Sequence, residues 1–157
     1  MRVVLDTDAM PSGLKSPTGA SRIMLIWARQ RVIVPLASVG MMIECEAVLK
    51  RPEHLADTGL SVDDVDAFLD TWAAIAEPGV VHFSSRPAIC DPDDEMFIEV
   101  ALNGGAEALV TFNLRDYRPA DPSVRRHGVE TCRPGDFLER MQWRPSQDML
   151  SAFRPRS

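Results

Sequence analysis

Short apolar segments of strand length alternate along this chain with longer segments whose apolar residues recur every three or four positions. The short runs predict buried strands, and the periodic segments predict helices that cover a sheet. Their alternation predicts an α/β fold, a three-layer α/β/α sandwich around a mostly parallel sheet of four to five strands. A stretch rich in Pro, Ser and Gly at residues 11–19 predicts a loop. Strands are expected at residues 2–5, 32–36, 80–83, 108–111 and 129–131, and helices at residues 20–29, 37–50, 62–76, 92–103 and 134–141.

Composition narrows the class of protein. A length of 157 residues suits one domain, and no apolar stretch approaches the ~18 residues that a membrane span needs. The N-terminal sequence MRVVLDTD reaches acidic residues too early for a secretion signal, so we expect a cytoplasmic protein without a membrane partner. Cys45, Cys90 and Cys132 lie far apart and form no CxxC or Cys/His cluster. A disulfide framework or a zinc site is therefore not expected.

Two acidic residues stand where packing alone favours apolar side chains. Asp6 directly follows the buried run 3–5, and a carboxylate at the end of such a strand is costly unless it is paired or bound to a metal. Glu44 interrupts the apolar stripe of the helix predicted at 37–50. Glu46 differs, because Lys50 follows four residues later in the order that favours a surface ion pair. We therefore select Asp6 and Glu44 as functional candidates.

A third acidic candidate comes from the run Asp91-Pro92-Asp93-Asp94-Glu95. Asp91 precedes a proline at the first helical position, which is typical of a helix N-cap. Asp94 shares a helical face with Phe97 and Ile98, so we expect it to point towards the sheet rather than towards water. Asp94 is therefore the candidate for chemistry in this run, and Asp91 a candidate for support.

The fourth candidate position follows the strand predicted at 108–111. Asn113 and Asp116 lie in the segment after it, where ligands bind in parallel sheets. Together the candidates supply oxygen ligands from separate elements that an α/β sheet brings to one edge. Hard oxygen ligands without histidine or thiolate suit Mg²⁺ or Mn²⁺. A metal-activated water attacking a phosphodiester is the chemistry that fits such a site.

Six segments, in chain order, resemble the motifs of one known family. They are VVLDTD at 3–8, SPTGAS at 16–21, Glu44 with VLKRP at 48–52, DPDD at 91–94, VTFNLRDY at 110–117 and RPGDFL at 133–138. The family is that of PIN domains, and the subfamily is that of toxin components of toxin–antitoxin systems. The resemblance covers about residues 2–141. It implies a Rossmann-like PIN domain at residues 1–141, followed by a tail at 142–157 that is flexible or folds over a partner.

The resemblance also implies an activity and a set of site residues. The activity is hydrolysis of RNA phosphodiester bonds by an endoribonuclease that uses Mg²⁺ or Mn²⁺, with an antitoxin protein as partner and a homodimer as the assembly. The catalytic and metal-binding residues implied by position are Asp6, Glu44, Asp94 and Asp116. Residues expected to orient these ligands or to contact substrate are Thr7, Asp8, Ser38, Asp91, Thr111, Asn113 and Arg115.

Two positions depart from the family pattern and leave alternatives open. Asp8 stands where the family usually has Asn, and Asn113 stands where VapC-type toxins usually have an acid. The fourth ligand position is therefore filled by either Asn113 or Asp116, and a PIN-like module that binds RNA or a partner without cutting it is the main alternative function. A phosphatase of the haloacid dehalogenase type shares the DxD spacing of Asp6 and Asp8, but the chain lacks a lysine at a suitable later position.

Charge distribution bears on the substrate. The net charge of −6 is unusual for a protein that binds phosphates. Residues 1–114 carry 8 basic and 17 acidic side chains, whereas residues 115–157 carry 9 basic and 6 acidic ones. Because all nine of those basic residues are arginines, we expect Arg115 and Arg118 to help steer RNA.

Overall fold

The central strand of the protein is β1, and the rest of the sheet is built outwards from it. The computed structural model describes residues 1–79, 92–118 and 120–141. Within those ranges the sheet has five strands in the order β3-β2-β1-β4-β5, and every neighbouring pair is parallel. The strands are β1 (Arg2–Leu5), β2 (Val34–Ala37), β3 (Glu77–Pro78), β4 (Ala108–Val110) and β5 (Glu130–Cys132).

Helices cover both faces of this sheet. Side chains alternate between the faces of a strand, so Val3 and Leu5 of β1 join one core cluster and Val4 joins the other. The expected three-layer α/β fold is confirmed. In the described ranges the helices are α1 (Ala9–Lys15), α2 (Ala20–Arg29), α3 (Val39–Leu49), α4 (Pro52–Thr58), α5 (Val62–Ile75), α6 (Pro92–Asn103), α7 (Leu114–Tyr117), α8 (Asp121–Arg126) and α9 (Pro134–Arg140). None of these helices is both long and apolar enough to cross a lipid bilayer.

The first core cluster lies under α1, α2, α5 and α9, and includes Met24, Trp72 and Phe137. The second lies under α6, α7 and α8, and includes Phe97 and Tyr117. These clusters fix both layers of helices against the sheet by burying apolar surface. The carboxyl ends of the strands are thereby held in fixed positions relative to the start of each following helix.

The loop predicted at residues 11–19 is wrong, because α1 occupies Ala9–Lys15. Pro11 lies in the first turn, where its missing N–H costs no hydrogen bond. Gly13 allows close packing, since a Cβ there would lie 2.7 Å from the Leu25 Cδ1 of α2. Proline and glycine therefore serve a helix here rather than a turn.

The remaining elements agree with the sequence to different degrees. The helix α2 has the predicted bounds, and α5 begins with the expected cap at Ser61, whose side chain accepts from the Asp64 N–H while Asp64 accepts from the Ser61 N–H. The strand predicted at residues 80–83 lies outside the described residues; within them, the strand that pairs with β2 on this side is Glu77–Pro78. The short helices α4, α7 and α8 were not predicted.

Candidate metal centre and nucleic-acid interface

The order of the strands places a crevice between β1 and β4. The chain proceeds from β1 to β2 on one side and later to β4 on the other, so the direction of strand order reverses at this point. Ligands in open parallel sheets bind beyond the carboxyl ends of the strands at such a reversal. Asp6 directly follows β1, and its N–H donates to the Val110 carbonyl at 2.9 Å. Thr111 directly follows β4, so these two residues meet at the crevice.

Asp6 is a buried carboxylate held by hydroxyl and amide donors. Only 6% of the residue is exposed. Its Oδ1 accepts from the Thr7 N–H at 2.6 Å and from the Thr7 hydroxyl at 3.3 Å. Its Oδ2 accepts from the Thr111 hydroxyl at 2.9 Å. Among the described residues no lysine or arginine pairs with Asp6, so its charge is held by neutral donors alone.

Asp8 lies beside Asp6 and uses only one of its two oxygens. Its Oδ2 is 3.1 Å from the Thr111 hydroxyl and accepts from the N–H groups of Phe112 at 2.9 Å and Asn113 at 3.1 Å. Its Oδ1 is buried and has no hydrogen-bond partner among the described residues. Burial, and then the charge of Asp6, raise the pKa of Asp8 from 3.8 to about 6, against the lowering effect of the hydrogen bonds on Oδ2.

Tyr117 brings a third element, α7, to the acidic site. The residue is 1% exposed, and burial, followed by the charges of Asp6 and Asp94, raises the pKa of its hydroxyl far above the usual range. The hydroxyl therefore lies near Asp6 and Asp94 together, although no described atom completes a well-formed hydrogen bond with it. Tyr117 is not among the site residues expected from the sequence. Its place directly after the candidate Asp116, as the one tyrosine of the chain, is the sequence feature that could have indicated it.

Asp94 and Glu44 approach the site from two helices. Asp94 is half-buried on α6, and its neighbours Phe97 and Ile98 are 1% and 2% exposed, so the expected inward face of α6 is confirmed. Glu44 is half-buried on α3, next to the buried Cys45. Burial, then the charge of Asp6, then that of Glu44 raise the pKa of the Cys45 thiol to about 12. The Cys45 thiol thus lies within reach of the charges of both Asp6 and Glu44.

Four other predicted residues have clear local roles or positions. The Asn113 side-chain amide donates to Asp116 Oδ2, and both residues are exposed. This amide therefore orients Asp116, and which of the two fills the fourth ligand position stays open. Ser38 caps α3 by accepting from the Met41 N–H. Arg115 is exposed on α7, and Asp91 lies outside the described residues.

The donor set of this site fits a hard divalent cation. It offers carboxylate and hydroxyl oxygens, one buried carboxylate oxygen without a partner, and no basic residue on Asp6 or Asp8 in the described parts of the chain. In those same parts, no group of three His, Cys, Asp or Glu residues could enclose an ion. Mg²⁺ commonly binds through one or two carboxylates and keeps several waters, so Asp6 and Asp8 could hold such an ion without a third ligand from the protein.

A small basic groove adjoins Tyr117. It has a volume of about 170 Å³ and is lined by Tyr117, Arg118, Arg125, Leu114 and Thr131. Tyr117 thus contributes both to this groove and to the surroundings of Asp6 and Asp94. Two arginines beside a buried acidic site provide positive charge where a phosphate chain could enter.

Comparison with known proteins gives one family match. The family model described as "PIN domain" matches residues 2–115, which is well over half of the chain. No match to a curated protein was found. The matched range includes Asp6, Asp8, Glu44, Asp94 and Thr111, and therefore covers most of the acidic site.

Proposed function

The chain belongs to the PIN-domain family, and we propose that it is an endoribonuclease that hydrolyses RNA phosphodiester bonds with Mg²⁺ or Mn²⁺. PIN domains are generally nucleases, and the fold is of the nuclease type. The observation that carries the proposal is the pair formed by the buried Asp6 and the half-buried Asp8 beside the reversal of strand order, with one buried carboxylate oxygen of Asp8 free of donors in the described residues.

The acidic residues would contribute to metal binding in two ways, as direct ligands and through water or substrate. Asp6 and Asp8 would bind it directly, because both lie against the Thr111 hydroxyl and neither has a basic partner in the described residues. Glu44, Asp94 and Asp116 would act from the surrounding helices, through water or on the approaching substrate. When bound, the cation would neutralise charge on the scissile phosphate and lower the pKa of a bound water.

Neutral side chains would keep these carboxylates in place. Thr111 contacts both Asp6 and Asp8 through a single hydroxyl, and the Thr7 N–H and hydroxyl fix the other oxygen of Asp6. Such donors orient metal ligands, and their loss typically costs ~10–100-fold in metal affinity or activity. Asn113 would play the same part for Asp116.

The basic groove supports a nucleic-acid substrate. Arg118 and Arg125 line it beside Tyr117, and Arg115 is exposed one turn earlier on α7. Because Asp6 is only 6% exposed, a phosphate in a stiff duplex would have difficulty reaching it. We therefore propose single-stranded or looped RNA as the substrate, since its backbone can be drawn into a recessed site.

The biological role proposed for this activity is that of the toxin in a toxin–antitoxin pair. It rests on the six motif resemblances and implies a neutralising antitoxin protein, a homodimer and a cytoplasmic setting. Induced expression in a bacterial host tests it, because a toxin of this kind should arrest growth while the Asp94→Asn variant should not. If the wild-type protein does not affect growth but cleaves RNA in vitro, the toxin role is contradicted and the ribonuclease proposal stands.

The enzymatic proposal is tested with purified protein and labelled RNA oligonucleotides, one single-stranded and one with a stem and loop. Cleavage should require added Mn²⁺ or Mg²⁺, should stop with EDTA, and should fall ~10–100-fold in Asp94→Asn. Asp57→Asn is the matched control, since Asp57 is an exposed aspartate of α4 whose side chain pairs with Lys15 of α1. Binding of RNA without cleavage under any metal would favour a non-cutting module, and hydrolysis of small phosphate esters alone would favour a phosphatase.

A further inference from the structure

The basic groove beside Tyr117 contains donors that the described residues do not satisfy. It is lined by residues of α7, α8 and the edge strand β5, with Thr131 of β5 on its wall. The Thr131 hydroxyl is buried and has no hydrogen-bond partner among the described residues. Arg118 is exposed and forms no ion pair with a described carboxylate. The described lining includes two arginines and no acidic residue.

An anion with several oxygens fits these donors. A guanidinium group donates in a planar fork that matches the oxygens of a phosphate. A buried hydroxyl without a partner is costly, and a ligand oxygen beside Thr131 would remove that cost. The volume of about 170 Å³ is below the ~300–1,000 Å³ typical of pockets that enclose a whole small molecule. The groove therefore suits one phosphate group rather than a complete nucleotide.

The charge of the groove fits a phosphate at the end of a strand better than one within it. A phosphate monoester has three free oxygens and a charge of about −1.5 to −2 at pH 7. A phosphodiester inside an RNA strand has two free oxygens and one negative charge. Arg118 and Arg125 supply two positive charges, and the Thr131 hydroxyl supplies a further donor. The donors thus match a monoester in both charge and oxygen number.

Tyr117 connects this groove to the acidic site. Its side chain lines the groove, while its buried hydroxyl lies near the charges of Asp6 and Asp94. A phosphate held by Arg118 and Arg125 would therefore lie one tyrosine side chain away from the acids. An RNA strand whose end was fixed in this way would place a bond near that end at the acidic site.

We infer that the basic groove binds the terminal phosphate monoester of an RNA strand and thereby selects a bond near that end for hydrolysis. The selection of a bond rests on the proposed ribonuclease function, whereas binding of the phosphate does not. A monoester at the 5′ end and one at the 3′ end offer the same chemical group, so the experiment uses both.

The binding test uses three labelled single-stranded RNAs of one sequence, which carry a 5′-phosphate, a 3′-phosphate or no terminal phosphate. Fluorescence anisotropy with the full-length protein is measured in EDTA, so that no metal ion contributes to the affinity. One of the phosphorylated RNAs should bind about tenfold more tightly than the unphosphorylated RNA, as expected for hydrogen bonds between charged groups. Inorganic phosphate should remove this advantage, and sodium chloride at the same ionic strength should not.

Four variants locate the advantage in the groove. Arg118→Gln and Arg125→Gln should each remove most of it, whereas Arg126→Gln should keep it, because Arg126 is an exposed arginine of α8 outside the described lining. Thr131→Val should reduce the advantage severalfold without lowering the free energy of unfolding. The reason is that its hydroxyl makes no hydrogen bond with a described residue that the substitution could break. A merely structural Thr131 would not separate binding from stability in this way.

Equal binding of the three RNAs by the wild-type protein would overturn the inference, as would an advantage that persists in both Arg118→Gln and Arg125→Gln. Cleavage with added Mn²⁺ separates this inference from the proposed function. The wild-type protein should cut the preferred RNA near its phosphorylated end. Cleavage without any effect of a terminal phosphate would contradict the inference and leave the ribonuclease. Preferred binding without cleavage would contradict the ribonuclease and leave the phosphate site.

Discussion

Replacing Asp8 by Asn should stabilise the metal-free protein at pH 8. In the wild-type chain Asp8 Oδ2 accepts from Thr111, Phe112 and Asn113, while its Oδ1 is buried without a donor beside Asp6. The oxygen of an Asn side chain can take the place of Oδ2 and keep those contacts. Its amide would then lie where Oδ1 lies, bringing a donor instead of a second negative charge close to Asp6.

The magnitude follows from the pKa of Asp8, which burial and the charge of Asp6 raise from 3.8 to about 6. A full shift of this size corresponds to ~3 kcal/mol, since one pKa unit is about 1.4 kcal/mol. Asp8 is only half-buried, and solvent screening reduces the effect, so ~1–2 kcal/mol is the expected gain. For a chain of this length that gain corresponds to a rise in Tm of about 2–8 °C.

The sign of the pH dependence gives the assay its internal control. Because the pKa of Asp8 is higher in the folded chain, folding takes up a proton there. The stabilisation from this carboxyl is therefore complete below about pH 4 and is lost as the pH rises through about 6. Urea unfolding of EDTA-treated protein should show Asp8→Asn more stable than wild type at pH 8, with the difference shrinking towards pH 4. A variant that is less stable at pH 8, or a difference that does not change with pH, would refute this account of Asp8.

Three further substitutions probe other parts of the structure. Ser61→Ala removes the cap of α5 and should lower the free energy of unfolding by ~1 kcal/mol in urea denaturation; an unchanged value would show that the capping box contributes nothing. Glu44→Gln should fold normally and cleave RNA ~10–100-fold more slowly, whereas Glu46→Gln on the same helix should cleave normally because Glu46 only pairs with Lys50. Tyr117→Phe removes a buried hydroxyl without a complete hydrogen bond, so thermal stability should stay within ~1 kcal/mol while kcat falls and KM does not; an unchanged kcat would exclude Tyr117 from the site.

The elements that could be predicted are those specified by local patterns. The α2 helix has its predicted bounds, and the cap at Ser61 fixes the start of α5 because both partners of the capping box lie within one turn. The pairing of Glu46 with Lys50 is likewise local and is confirmed, with Nζ and Oε1 2.6 Å apart. In each case the residues that decide the structure are close in sequence.

What could not be predicted depends on contacts between distant segments. Gly13 indicates a loop until its close approach to Leu25 of α2 is known. The sequence singles out Asp6 because it follows an apolar run, but it does not show that Asp8 shares a hydroxyl with it. That hydroxyl belongs to Thr111, more than a hundred positions away, and reaches both acids only because β4 pairs with β1. The same pairing brings Tyr117 to the site.

The shared hydroxyl also predicts that protons compete with the proposed cation at this site. Thr111 Oγ1 lies 2.9 Å from Asp6 Oδ2 and 3.1 Å from Asp8 Oδ2, but a hydroxyl has one hydrogen and can serve only one carboxylate at a time. The other carboxylate then faces an oxygen lone pair, so the negative charge of the two acids is not fully compensated. A proton on Asp8 compensates it below about pH 6, and a divalent cation would compensate it above that pH.

Because a ligating carboxylate must first lose its proton, the affinity for Mn²⁺ should fall by about tenfold between pH 7 and pH 5. Calorimetric titration of wild type and Asp8→Asn measures this: the variant should bind Mn²⁺ more weakly at pH 7 and lose little between pH 7 and pH 5, and an equal pH dependence in both proteins would contradict the competition.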